Sequence, residues 1–207
     1  MARDCFAGCN YSQFMRYKTI LMFGAPGSGK GTHGKALGAI PGYYHCACGD
    51  VFRSLRPETP LGRKFLDFSS RGQLVPDEAT IELWQQCIDN STQAGRFHPD
   101  TDMLVLDGIP RNVVQAELLS KTLNVIVVFN LTASKPELLI KRMQRRALKE
   151  NRLDDAHLDV IRARLKTYEK ETKPVLNYYG KQLIQRINTD GRPVEIFSEI
   201  LKRVVTL

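Results

Sequence analysis

Nowhere do apolar residues run on for the ~20 positions that a membrane-spanning helix needs, so no such helix is expected. Residues 1–17 lack the apolar centre of a secretory leader, which makes the cytoplasm the expected location. The five cysteines (Cys5, Cys9, Cys46, Cys48 and Cys87) are odd in number and scattered. That spacing argues against a disulfide scaffold and for a reducing compartment. Repeats and low-complexity runs are missing too, which sets aside solenoids and arrays. With 15 Gly and 10 Pro the chain is too poor in both for a fibre, and 43% hydrophobic content excludes a wholly disordered polymer. The remaining class is globular. Its 207 residues suit one α/β domain.

Charge is present in excess of one sign. Against 22 acidic side chains stand 30 Lys and Arg, for a net +8, so the partner is expected to be anionic. Nucleic acid and phosphorylated small molecules both meet that description.

Strand-like and helix-like segments alternate along the chain. Thr19 to Phe23, Met103 to Leu106 and Val125 to Phe129 are short continuous apolar runs, as parallel strands covered on both faces require. Tyr43 to Ala47 and Leu183 to Ile187 bring the expected strands to five. A helix should open at about Lys30 and another after Pro76, with Ile81, Trp84 and Ile88 on its apolar face. Ser134 to Glu137 has capping-box spacing. Asp154 and Asp155 should begin a long helix carrying Leu158, Ile161, Leu165 and Tyr168, which Pro174 ends; Pro193 should start the last. Helices between strands imply right-handed crossovers and a doubly wound, five-stranded parallel sheet, with ligands at the carboxyl ends of its strands. The first strand needs nothing before Lys18, so residues 1–17 read as a disordered extension and 18–207 as the domain. A metal or redox role for Cys5 and Cys9 lacks two further ligands nearby.

The turn after the first strand reads Gly24-Ala25-Pro26-Gly27-Ser28-Gly29-Lys30-Gly31-Thr32. Its glycines let successive N–H groups face phosphate oxygens, a helix N-terminus adds its positive end, and Lys30 supplies a mobile charge. Gly31 after the lysine displaces the hydroxyl to Thr32, where it would hold Mg²⁺ through water. This points to a nucleoside triphosphate. The loop does not name the acceptor.

Five further segments follow in order: Gly49 to Arg53, Gly72 to Glu78, Leu106 to Arg111, the Arg142/Arg146 pair, and Arg152-x-Asp154-Asp155, which Arg164-Leu165-x-x-Tyr168 continues. Together with the loop they resemble the nucleoside monophosphate kinases over residues 18–207, and within them the short-lid adenylate kinases. The resemblance implies a P-loop fold with a monophosphate lobe at 48–78 and a short lid at 145–153, without the long lid's zinc-binding cysteines. It implies a monomer, with no nucleic acid or membrane partner, that moves the terminal phosphoryl group of ATP to AMP, giving two ADP, with Mg²⁺ as cofactor.

The same resemblance assigns residues. Gly27, Ser28, Gly29, Lys30, Gly31 and Thr32 would cradle ATP with Arg142, Arg146 and Arg192. Cys48, Arg53, Gln73, Leu74, Val75, Gly108, Arg111, Gln115, Arg152 and Arg164 would bind AMP. Lys30, Arg111, Arg142, Arg146, Arg152 and Arg164 would be catalytic, and Asp107 would order Mg²⁺ through its waters. Two departures leave alternatives. The Arg152–Arg164 spacing is one residue long, which lets Arg162 substitute for Arg164. Cys48 stands where these kinases carry Thr, which keeps a UMP or CMP kinase open. Cys46 and Cys48, two apart on an expected strand, read as buried thiols.

Residues 141–152 hold six positive charges and one negative, most of the net +8, and Arg142 and Arg146 share a helix face. No aromatic is interleaved to stack bases, against a nucleic-acid groove. Such charge suits two polyanions brought together, where catalysis is mostly positioning and neutralisation. A non-catalytic nucleotide-binding regulator is the rival from another class; the arginines and Asp107 speak against it, since binding alone would not need charges converging on the transferred group.

Overall fold

A computed structural model describes residues 16–150, 155 and 157–207. Among these the expected strands all form: β1 (Tyr17–Gly24), β2 (Tyr43–Ala47), β3 (Met103–Asp107), β4 (Leu123–Thr132) and β5 (Ile184–Asn188). They pair in parallel in the order β2-β3-β1-β4-β5. α1 (Lys30–Leu37) follows β1, and α2 (Cys48–Arg53), α3 (Pro60–Ser70) and α4 (Asp77–Gln93) lie between β2 and β3. α5 (Val113–Leu119) precedes β4, while α6 (Pro136–Glu150), α7 (Leu158–Thr167) and α8 (Val175–Tyr179) precede β5. α9 (Pro193–Val204) closes the chain. No helix among the described residues is long and apolar enough to cross a membrane.

The side-chain alternation of β1 builds two cores at once, because successive residues of a strand face opposite sides. Leu21 and Phe23 join Leu104, Leu106, Trp84, Ile88 and Phe97 on one face. Ile20 and Met22 join Val105, Phe129, Leu37, Ile196 and Ile200 on the other. A sheet covered on both faces explains why its strands read as unbroken apolar runs.

Register brings the functional loops together. Met22 and Ala47 both stand beside Asp107, and Gly24 stands beside Leu131. The turns after β1, β2, β3 and β4 therefore leave the sheet at one edge, its carboxyl edge.

Several expectations need correction. Tyr17 belongs to β1, its N–H bonding Thr122 O at 2.8 Å and its ring meeting Phe97, so the fold begins before Lys18. Residues 1–15 lie outside the described residues. Cys48 opens α2 rather than continuing β2. Ser134 turns to Asp190, to which its N–H donates at 2.9 Å, and at the start of α9 Glu195 reaches back to accept from the Arg192 N–H. The long helix starts at Leu158 rather than at Asp154–Asp155, widens into a π-helical turn at Tyr168–Thr172, and stops just before Pro174 as expected.

Candidate active site

The Gly-rich turn wraps the carboxyl end of β1. Gly27 has φ 80°, and a Cβ there would come within 2.7 Å of the Leu139 carbonyl of α6; Gly29, φ 99°, caps α1. Only glycine meets both demands. The first helical bond of α1 runs from His33 N–H to Gly29 O, so the amides of Lys30, Gly31 and Thr32 head the helix without an intrahelical acceptor. The Ser28 N–H bonds Ala25 O, and its side chain is buried. Lys30 Nζ donates to Gly24 O (2.8 Å) and Ala25 O (3.1 Å).

One cleft joins this loop to the turns after β2 and β3 and to α6 and α7. Gly27, Gly29, Lys30, Gly31 and Thr32 line one end; Arg53, Gln73, Leu74, Val75 and Gln115 line another. Asp107, Gly108, Arg111, Arg146 and Arg164 also line it. Desolvation pulls the Lys30 ammonium down to about 8; Asp107 opposes this, and Arg146, Arg111 and Arg164 add to it. That list is a map of the site: three guanidinium groups and one carboxylate within electrostatic reach of the loop lysine.

Each arginine is held by a specific partner. Arg53 Nη2 bonds Asp50 Oδ1 at 2.5 Å. Burial works to raise the Asp50 carboxyl, yet Arg53 and Lys35 hold it at about 2. Arg111 Nε bonds Gly108 O at 2.7 Å. Arg146 grips Asp155 Oδ2 through Nε (2.8 Å) and Nη2 (2.5 Å), and Arg164 donates to Oδ1 of the same carboxylate, which is 0% exposed. Arg164 rather than Arg162 is thus the arginine of α7 at the cleft. Arg162 is exposed and pairs weakly with Asp159 at 3.6 Å.

Three expected residues stand apart from the cleft wall. Arg142 bonds the carbonyl and hydroxyl of Thr189 after β5. Arg192 is exposed and bound to Glu195. Cys48, 1% exposed, sits behind the wall with its thiol pushed up to about 12 by burial, near Arg111 and Arg53. Arg152 lies outside the described residues, as does the lid from 151 to 153; residues 145–150 are the last turns of α6.

A network absent from the expectations organises the acceptor end. Asp77, at the start of α4, accepts from Asn112 Nδ2 (2.9 and 3.0 Å) and from Gln115 Nε2 (2.7 Å). Asn112 Oδ1 caps α5 at Gln115 N, and Gln115 Oε1 accepts from Arg111 N at 2.7 Å. The Asp77 carboxylate thereby fixes which end of the Gln115 amide is the donor. Buried as it is, Gln115 still has one N–H and one lone pair to offer.

The profile of the family described as "Adenylate kinase" matches residues 22–184. The chain belongs to the adenylate kinase family. It is 41% identical over 184 residues to the adenylate kinase of Cyanothece sp., covering 85% of this chain and 88% of the relative. With that of Parabacteroides distasonis it shares 36% over 192 residues, 89% and 96% of the two chains. With that of Thermus thermophilus it shares 31% over 189 residues, 88% and 95%. As a member of the adenylate kinase family it is a nucleoside monophosphate kinase, a phosphotransferase.

Proposed function

We propose that the cleft holds ATP and AMP end to end and moves the terminal phosphoryl group between them, giving two ADP. The convergence of Lys30, Arg111, Arg146 and Arg164 on one point is the observation that carries this reading. An oxygen of the AMP phosphate attacks the γ-phosphorus of ATP, and the bond to the β-bridging oxygen breaks. Since that attacking oxygen is already ionised, no base is needed, and the protein's work is alignment and charge neutralisation.

In this reading the amides of Lys30, Gly31 and Thr32 and the Lys30 ammonium hold the ATP phosphates, and Arg146, Arg152 and Arg164 meet the moving group. Arg53 and Arg111 hold the AMP phosphate. Gln73, Leu74, Val75 and Gln115 form its base pocket, in which the remaining donor and acceptor of Gln115 suit the N6 and N1 edge of adenine. Arg142 and the loop at 189–192 flank the ATP base. The lobe at 48–78 and the lid at 145–153 close over both substrates and keep water out.

Mg²⁺ fits this donor set. Asp107 offers a single carboxylate, 9% exposed, with Gly31 leaving its Oδ2 clear, and Thr32 heads α1 nearby. Magnesium is bound by one or two carboxylates plus substrate phosphates. What the ion supplies when bound is neutralisation of phosphate charge. The working form is taken as a monomer on the family resemblance, and the thiols at Cys46, Cys48 and Cys87 are free, which suits the cytoplasm.

A coupled ADP assay with ATP and AMP, UMP, CMP or GMP in turn tests the reading. AMP should be turned over with two ADP per ATP. Higher kcat/KM with UMP or CMP would replace it with the pyrimidine alternative, and absence of any transfer would leave the regulator.

A further inference from the structure

Two cysteines outside the cleft meet across the seam between β2 and α4. Tyr44 on β2 donates its phenol O–H to Ser91 on α4 at 2.7 Å. Two residues along a strand advance ~6.6 Å and four along a helix ~6 Å, so the next rung of the seam sets Cys46 against Cys87. Cys46 lies in the core cluster there, and Cys87 packs against the same cluster. The two sulfurs differ in setting. Cys46 is 3% exposed, whereas Cys87 is only half-buried and open to a small solute. The neighbouring Cys46 thiol pulls the Cys87 thiol down, burial opposes this, and Ser91 and the charge of Arg96 add to the lowering. Its partner is pushed up by the neighbouring Cys87 and by burial. The more exposed thiol, near Arg96, and the buried one behind it make an attacking and a resolving pair.

We propose that Cys46 and Cys87 form a hydroperoxide-sensitive pair whose disulfide ties β2 to α4 and weakens monophosphate binding. The Cys87 thiolate attacks a peroxide oxygen, the O–O bond breaks, and Cys87 becomes a sulfenic acid. Cys46 sulfur then attacks Cys87 sulfur, the S–O bond breaks and water leaves with the Cys46 proton. Two thiols are oxidised by two electrons, and hydrogen peroxide is reduced to two waters. Forming the bond draws α4 toward β2. The effect falls on the acceptor end, because β2 feeds α2 with Arg53 while α4 begins at Asp77 and presents Thr80 to the cleft. That consequence rests on the AMP assignment above, which turnover of the reduced enzyme tests separately.

The full-length protein is treated with hydrogen peroxide and digested without reductant. A peptide linking Cys46 to Cys87, lighter by two hydrogen atoms, should appear, along with a rise of about threefold or more in KM for AMP while KM for ATP stays within about twofold. Dithiothreitol should reverse both changes, and Cys87→Ser should show neither. In Cys46→Val, whose new side chain suits the apolar seam, Cys87 should stop at the sulfenic acid and react with dimedone. Absence of the linked peptide overturns the proposal, as does a linked peptide with unchanged KM for AMP.

Discussion

Asp155→Asn tests how the arginines of the cleft are held. The carboxylate is fully buried and receives Arg146 on one oxygen and Arg164 on the other. Asparagine keeps the shape but has one acceptor oxygen, and its amide N–H groups would face a guanidinium that can only donate. Removing one partner of a buried ion pair costs about 3–5 kcal/mol. The retained acceptor spares part of this, leaving roughly 2–3 kcal/mol. At this chain length each kcal/mol lowers Tm by about 2–4 °C, so the melting temperature should fall by about 4–12 °C. The two guanidiniums proposed to meet the moving phosphoryl group then lose their alignment, and displacement of order 1 Å is worth about a hundredfold in kcat. Thermal unfolding by circular dichroism and the coupled ADP assay read the two effects. A Tm within about 1 °C of the parent and kcat within about twofold would refute the claim that Asp155 sets this geometry.

The remaining predictions concern Lys30, Asp77 and the two arginines of α7. Lys30, cationic below about 8, loses its proton in the free enzyme as pH rises, so kcat/KM for ATP should fall about tenfold per pH unit above 8. The folded pKa lies below the unfolded value of 10.5, so this lysine's contribution to stability is complete only at high pH and is lost as pH falls through 8. Lys30→Met should therefore cut kcat by about a hundredfold or more without lowering Tm at pH 7; a lower Tm would reverse that sign. Asp77→Ala frees the Gln115 amide and should raise KM for AMP about tenfold, with KM for ATP within about twofold by initial-rate kinetics. Arg164→Ala should reduce kcat by about a hundredfold while Arg162→Ala leaves it within about twofold; the opposite ranking in steady-state assays would exchange their roles.

Much of the fold was legible because its signals are local. The apolar runs of β1, β3 and β4 and the glycines of the loop announce themselves at short range. Thr59 before Pro60 is an equally local signal for the start of α3, its hydroxyl accepting from Gly62 N–H. The partners of the site were harder to foresee. Asp77 and Gln115 are 38 residues apart, and a sequence pattern says which side chains are polar, not which will meet. Asp155 looked like the start of a helix, and only the folding of α7 back against α6 turns it into an anchor for two arginines. Arg142 and Arg192 were expected at ATP from the family resemblance, but Thr189 and Glu195 hold them beside the cleft.

The most direct test of the account is titration with a bisubstrate compound, two adenosines joined through five phosphates, followed by isothermal calorimetry and by inhibition kinetics. One cleft holding both nucleotides end to end predicts one molecule bound per chain, competitive against ATP and against AMP alike. Binding of two molecules per chain, or competition with only one of the substrates, would contradict it.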